Sequence, residues 1–126
     1  MEKKIASTEK APPAMGPYSQ AVIGGDLIFT AGQLGIDPQT GELAEGIEAQ
    51  TRQALTNLSA VLEAASSSLD RVVKATVFLA HIEDFTAMNT VYAEFFPLQP
   101  PARSTVEVAQ LPREALVQIE VIALKR

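Results

Sequence analysis

Cysteine is absent from this 126-residue chain, and His81 is its only histidine. The absence of cysteine excludes disulfides, thiolate zinc sites, iron–sulfur clusters and cysteine nucleophiles. A catalytic zinc site usually takes three nitrogen, sulfur or oxygen ligands with histidine prominent among them, so we expect no metal centre. The sequence also lacks the G-x-S-x-G motif of serine hydrolases and the G-x-G-x-x-G motif of dinucleotide sites, and we expect no cofactor.

Long apolar runs and clusters of positive charge are scarce as well. The apolar run 117–124 is interrupted by Gln118 and Glu120, and it is far shorter than the ~18 residues that a membrane span requires. Residues 1–4 (MEKK) do not resemble the apolar core of a secretory signal, so we expect a cytoplasmic protein without a membrane segment. The net charge is −5, and the basic residues are dispersed. Because phosphate contacts dominate nucleic-acid affinity, this charge disfavours a nucleic-acid partner.

What remains is the composition of an ordinary globular protein. Hydrophobic residues make up 47% and charged residues 20% of the chain, both typical of a folded domain. No internal repeat, linker or low-complexity segment is apparent. Residues 1–126 are therefore predicted to form one domain.

Alternating apolar residues and turn signals predict six strands. The Gly24-Gly25 pair can supply the positive φ angles of a tight hairpin turn, and Asp37–Gly41 reads as a second turn. The predicted strands are an edge strand in 1–8, the two arms of a hairpin over 21–30, and segments 71–80, 102–108 and 116–125.

Two segments show the three- and four-residue spacing of amphipathic helices. The first covers about 46–65, and Asn57 lies among the polar residues off its apolar stripe. The second covers about 82–96, with Glu83 and Asp84 in the first turn, where the helix dipole favours acidic side chains. The stripe of the first helix consists of Ile47, Thr51, Ala54, Leu55, Leu58, Val61, Leu62 and Ala65.

The element order β-β-β-α-β-α-β-β indicates an α+β sandwich in which two helices cover one face of a mixed sheet. The strand 71–80 is apolar on both faces, with Val73, Ala75, Val77 and Leu79 alternating with Val72 and Phe78. The last strand has the same character. Two helices can cover only one of these faces. We therefore predict an obligate homo-oligomer packed through the bare sheet face, for which a symmetric ring is the natural arrangement.

Two charged residues are the first candidates for function. Arg103 follows a proline-bounded loop at the start of a strand, where its guanidinium could bind a carboxylate through two parallel hydrogen bonds. The alternative is an ordinary surface arginine. Glu120 is flanked by apolar residues on both sides, and a carboxylate in such a strand is rarely buried unless it is paired. It is an acid–base group, a structural ion-pair partner or an outward-facing residue.

Weaker candidates surround these two. Tyr18 could present its phenol to a cleft or simply pack in place. Gly32 would let a ligand approach the backbone, although a glycine at a strand end more often marks a bulge or turn. Asn89 lies beside the apolar stripe of the second helix, where it either caps a pocket or faces water. His81, at a strand–helix junction, is predicted to be structural or exposed.

Six blocks of the chain, taken together and in order, resemble the RidA (YjgF-type) family of reactive-intermediate deaminases. The resemblance covers essentially the whole chain at family spacing, and no single block would suffice. The blocks are GPYSQA at 16–21, FTAGQLG at 29–35, DRVVKATVFL at 70–79, MNTVYAEFF at 88–96, PARSTVEV at 101–108 and IEVIA at 119–123.

The resemblance implies a chorismate-mutase-like fold, a homotrimer packed through its sheets and three clefts between neighbouring subunits. It also implies hydrolysis of 2-imino acids such as 2-iminobutanoate and 2-iminopropanoate to 2-keto acids and ammonia, with no cofactor and no metal. These imines are tautomers of the enamines that pyridoxal-phosphate dehydratases release. The expected partners are therefore small 2-imino and 2-keto acids.

Carried over by motif, the family implies a role for each candidate residue. Arg103 matches the arginine that grips the substrate carboxylate, and Glu120 matches the acidic residue that holds or activates water. Tyr18 matches the tyrosine that lines the cleft, Gly32 the closely approached backbone, and Asn89 the cleft-side asparagine.

Two positions depart from the family pattern. Thr105 stands where many active members carry cysteine, and its backbone groups would contact substrate. The Pro97–Pro101 loop is shorter than usual. The alternatives to a deaminase are a catalytically silent trimer that binds 2-keto acids, a ribonuclease or translation inhibitor, and a chaperone that uses apolar trimer surface.

Overall fold

The computed structural model, which describes residues 1–126, contains seven strands and two α-helices. The predicted α+β class is confirmed, with one short strand, β4, added to the predicted order. Two residues are too few to show a period, so hydrophobic periodicity does not predict this strand. The elements are β1 Lys3–Ala6, β2 Ala21–Gly24, β3 Leu27–Thr30, β4 Gln33–Leu34, α1 Ile47–Ala64, β5 Val72–Leu79, α2 Phe85–Phe95, β6 Ala102–Glu107 and β7 Val117–Leu124.

The strands form one mixed sheet in the order β1-β2-β3-β7-β5-β6, and β4 pairs with β7 as well. All pairs are antiparallel except β5 with β6. Parallel neighbours need a crossover connection, usually a helix, and α2 provides it. β6 stands last in the strand order and is therefore an edge strand, and its Arg103 contacts side chains of α2.

The hydrophobic core lies between the helices and one face of the sheet. Leu55, Leu58 and Met88 from the helices are fully buried there with Val77 and Ile119 from the strands. Neither helix combines the length and apolar character that a bilayer crossing needs.

The opposite face of the sheet is left uncovered by the chain. Phe29 on β3 and Val106 on β6 are each 44% exposed, and Ile5 on β1 is 57% exposed. Two helices on one face and a bare apolar face on the other agree with the predicted arrangement.

Asn57 is not a surface residue of α1, contrary to the prediction. Its side chain is fully buried, and its Nδ2 donates to the carbonyl oxygens of Leu34 at 3.2 Å and Ile36 at 2.9 Å. Helical periodicity assigns polar residues to solvent, whereas this amide is buried because it satisfies the backbone of the β4 segment.

The orientation of one residue and the bounds of two elements also differ from the prediction. A register shift between Val72 and Lys74 turns Val73 outward, so Val73 does not share a face with Ala75. Gly24 pairs within β2, and the hairpin turn is formed by Gly25, at φ 62°, and its successor. The acidic residues 83–84 belong to a 3₁₀ turn that precedes α2.

Candidate functional site

The edge of the sheet beside α2 forms a groove around Arg103. Arg103 pairs with Ala75 of β5, and because Ala75 is buried against the helices, the arginine side chain lies on the same face. Arg103 as a whole is half-buried. The groove has a volume of about 480 Å³, and its walls are formed by Asn89, Tyr92, Ala93, Phe96, Pro100, Pro101 and Arg103.

Two aromatic rings hold the Arg103 guanidinium. Its central carbon lies 4.6 Å from the ring centre of Tyr92 and 5.6 Å from that of Phe85, both within cation–π range. The two aromatic residues are seven positions apart on α2 and therefore share one helical face. Arg103 forms no ion pair within the chain, where the two salt bridges are Arg52–Glu94 and Arg126–Asp70. Its charge is therefore available to an anionic ligand.

Three buried polar atoms without partners belong to α2 and β6, the two elements that carry the groove. Asn89 Oδ1, the Tyr92 hydroxyl oxygen and Thr105 Oγ1 are buried and have no hydrogen-bond partner within the chain, a property that they share with only one other side-chain atom, Arg71 Nε. Each such atom costs about 1–3 kcal/mol of desolvation. Burial raises the pKa of Tyr92, and both the charge of Arg103 and a hydrogen-bonding contact with its guanidinium oppose this shift. The phenol therefore keeps its proton at neutral pH.

Glu120 does not share this groove within one chain. Glu120 lies on β7 opposite Thr76 of β5, and its chain neighbours Ile119 and Val121 are buried against the helices. Alternation along the strand directs its carboxylate to the uncovered face, where it is half-buried without an ion pair.

Tyr18 and Gly32 lie in a second cavity, of about 440 Å³, together with Leu34 and Gln118. Tyr18 is 53% exposed, and its hydroxyl accepts a hydrogen bond of 3.2 Å from the backbone N–H of Met15. A Cβ on Gly32 would lie 2.5 Å from Gln118 Nε2. The close approach at this glycine is thus made by a side chain of the protein itself, a contact the sequence did not indicate.

Buried glutamines fix the loops around the second cavity. The Gln20 side chain accepts from the Thr8 N–H at 2.7 Å and donates to the Pro12 carbonyl at 2.7 Å, which anchors the proline-rich loop before Tyr18. Gln50 donates to the Ala44 carbonyl at 3.0 Å and accepts from the N–H of Leu116 at 2.8 Å. These bonds tie the loop after β4 and the start of β7 to α1.

The candidate residues thus lie in three separate places within one chain. Arg103, Asn89 and Thr105 lie beside α2, whereas Glu120 projects from the uncovered face and Tyr18 and Gly32 line the other cavity. His81 is exposed, the second of the two predicted alternatives. No three histidine, aspartate or glutamate side chains are grouped closely enough to hold a metal ion.

Residues 8–125 match the family model described as Endoribonuclease L-PSP. The chain belongs to this family. The match spans nearly the whole chain, and the predicted resemblance to the RidA (YjgF-type) proteins is confirmed by it and by the relatives that follow.

Individual relatives are similar along their full length. The RutC family protein PH0854 of Pyrococcus horikoshii is 52% identical, over 98% of both chains. A goat (Capra hircus) protein named 2-iminobutanoate/2-iminopropanoate deaminase is 48% identical over 98% of this chain and 90% of its own. The crystal structure of the E. coli YjgF gene product superposes with a TM-score of 0.94 at 44% identity, covering 98% of this chain and 99% of that one.

Sequence analysis of this L-PSP family member missed the aromatic support of Arg103. Helical spacing alone predicts an apolar stripe of the second helix that includes Phe85 and Tyr92, with Asn89 beside it. In the structure all three lie at helical spacing on the face that meets Arg103. The signal was present in the spacing 85, 89, 92, 96, but the partner strand could not be identified from periodicity.

Proposed function

We propose that this protein is a cytoplasmic hydrolase that converts small 2-imino acids, such as 2-iminobutanoate and 2-iminopropanoate, to 2-keto acids and ammonia. The observation that carries the proposal is the unpaired guanidinium of Arg103, stacked against two aromatic rings in a groove with unpartnered polar atoms. A guanidinium held in this way suits bidentate binding of a carboxylate. The name of the goat relative specifies substrates of this class.

The reaction requires little beyond correct placement of the substrate and a water molecule. Water adds to the electrophilic C=N carbon, the carbinolamine then loses its nitrogen as ammonia, and a carbonyl remains. Arg103 fixes the carboxylate, and a carboxylate such as Glu120 orients the water and moves its proton. Positioning and general acid–base catalysis supply the rate acceleration, and no step requires a cofactor.

The proposed active site is completed by a second subunit of a homotrimer. The uncovered sheet face carries the exposed apolar side chains of Ile5, Phe29 and Val106. Contact of these side chains with water is unfavourable, and an exposed apolar patch of this kind marks an interaction surface. Arg103 lies on the edge strand β6, where a neighbour packed through its own uncovered face can bring its Glu120 and Tyr18 over the groove.

Trapping of the imine tests this function. A pyridoxal-phosphate threonine dehydratase generates 2-iminobutanoate, semicarbazide captures it, and the semicarbazone is followed by absorbance with and without this protein. We expect the wild type to suppress semicarbazone formation and Arg103→Ala to lose this effect by at least about 100-fold, since a charged hydrogen-bonded anchor is removed. Arg52→Ala is the matched control, because Arg52 pairs with Glu94 on the helix surface.

The outcomes separate the competing functions. A folded wild-type trimer that binds 2-oxobutanoate but leaves semicarbazone formation unchanged would be a silent ligand-binding protein. The family description also names an endoribonuclease, but a net charge of −5 gives little attraction for phosphates. RNA cleavage that survives Arg103→Ala would establish that activity at another site.

A further inference from the structure

The Tyr92 hydroxyl makes no hydrogen bond of ordinary length within the chain, and the polar group that acts on it is the neighbouring Arg103 guanidinium. Tyr92 is only 6% exposed, and its oxygen is buried without a hydrogen bond. Its ring already packs in the core and stacks on Phe96, with ring centres 4.6 Å apart. Phenylalanine would provide the same ring contacts without the desolvation cost of the hydroxyl, so the hydroxyl needs an explanation outside the fold.

The hydroxyl belongs to a wall of the groove that holds Arg103. The Tyr92 ring lies 4.6 Å from the guanidinium carbon, and Tyr92 and Arg103 line the same groove. Because burial raises the pKa of Tyr92, the phenol remains a hydrogen-bond donor at neutral pH. An ionised carboxylate has about four acceptor positions, and a bidentate arginine occupies two of them, which leaves room for another donor.

We propose that Tyr92 is a ligand-binding residue that donates its phenolic hydrogen to the carboxylate held by Arg103. The inference rests on the proposed function of the groove and adds a second anchor to it. The unliganded protein then carries an unsatisfied buried hydroxyl that binding satisfies, an exchange of stability for function.

Tyr92→Phe isolates this role because it keeps the ring and removes only the hydroxyl. Calorimetric titration with 2-oxobutanoate is expected to show about tenfold weaker binding in the variant, as for the loss of one hydrogen bond to a charged group. The unliganded variant is expected to unfold at the same or a higher urea concentration than the wild type. Weaker binding without lower stability is a combination that a purely structural tyrosine would not produce.

Two controls sharpen the test. Thr90→Val removes an exposed hydroxyl from the same helix, one that bonds only to the Thr86 carbonyl, and it should leave the affinity unchanged. 2-Butanone lacks the carboxylate. Its affinity, measured at concentrations high enough to detect binding, should be the same for the wild type and for Tyr92→Phe.

Failure of this inference differs from failure of the proposed function. If the wild type binds 2-oxobutanoate in an Arg103-dependent manner and Tyr92→Phe binds equally well, the role of Tyr92 is refuted while the function stands. If the wild type neither binds 2-oxobutanoate nor consumes the imine, the proposed function fails and the inference falls with it.

Discussion

Arg103 and Glu120 belong to the same sheet but project from its opposite faces. Arg103 pairs with Ala75 on β5, whereas Glu120 pairs with Thr76, the next residue of the same strand. Adjacent strand residues alternate between faces, so one chain cannot direct both side chains at one ligand. A site that uses both must take them from two subunits.

Mixed trimers test this composite arrangement. Arg103→Ala and Glu120→Ala subunits, each inactive alone, are expected to recover activity when they are refolded together in equal amounts. Random assembly leaves about a quarter of the interfaces with an intact arginine from one subunit and an intact glutamate from its neighbour. The imine-trapping assay should therefore report about a quarter of wild-type activity, and a mixture as inactive as its parents would contradict a shared site.

Phe85 is expected to hold the Arg103 guanidinium in its binding orientation. Replacement by leucine removes one of the two cation–π contacts and should weaken 2-oxobutanoate binding about threefold to tenfold, with a similar rise in KM. Phe95→Leu is the control, since Phe95 packs on the core rather than in the groove. Equal affinity losses in both variants would indicate a general packing effect.

Gly35, next to β4, lies against the backbone of α1. A Cβ at this position would lie 2.5 Å from the Cα and the carbonyl oxygen of Gln50, and a helix backbone cannot move aside as a side chain can. Gly35→Ala is expected to lower the free energy of unfolding by about 2–3 kcal/mol. Gly16→Ala, whose Cβ would lie 3.7 Å from its nearest neighbour, should be nearly neutral in the same urea titration.

Ser66 ends α1 in a left-handed conformation, with φ 64°. The N–H of Ser67 donates to the Leu62 carbonyl at 2.8 Å and that of Ser66 to the Glu63 carbonyl at 3.1 Å, which is the Schellman pattern that favours glycine. Ser66→Gly should therefore raise the free energy of unfolding by about 1 kcal/mol. Ser59→Gly, inside the same helix, should lower it by about 0.5–1 kcal/mol, so a shift of the same sign in both would contradict the explanation.

The sequence by itself determined the elements and the class of fold. Hydrophobic periodicity is local, so it fixed α1, α2 and the longer strands to within a few residues, and the apolar character of both faces of β7 indicated a sheet that its own helices could not cover. The same argument failed at Asn57, because an amide that satisfies a distant backbone is indistinguishable from a solvated one in a one-dimensional pattern.

Only the tertiary structure decided how the candidate residues are distributed. The sequence marked Arg103 and Glu120 as two charges near strand segments, but the pairing of both strands with β5 set them on opposite faces. Packing of α2 against β6 brought Phe85 and Tyr92 to Arg103. Strand register and helix packing depend on contacts between residues far apart in the chain, and local periodicity carries no information about which distant residues meet.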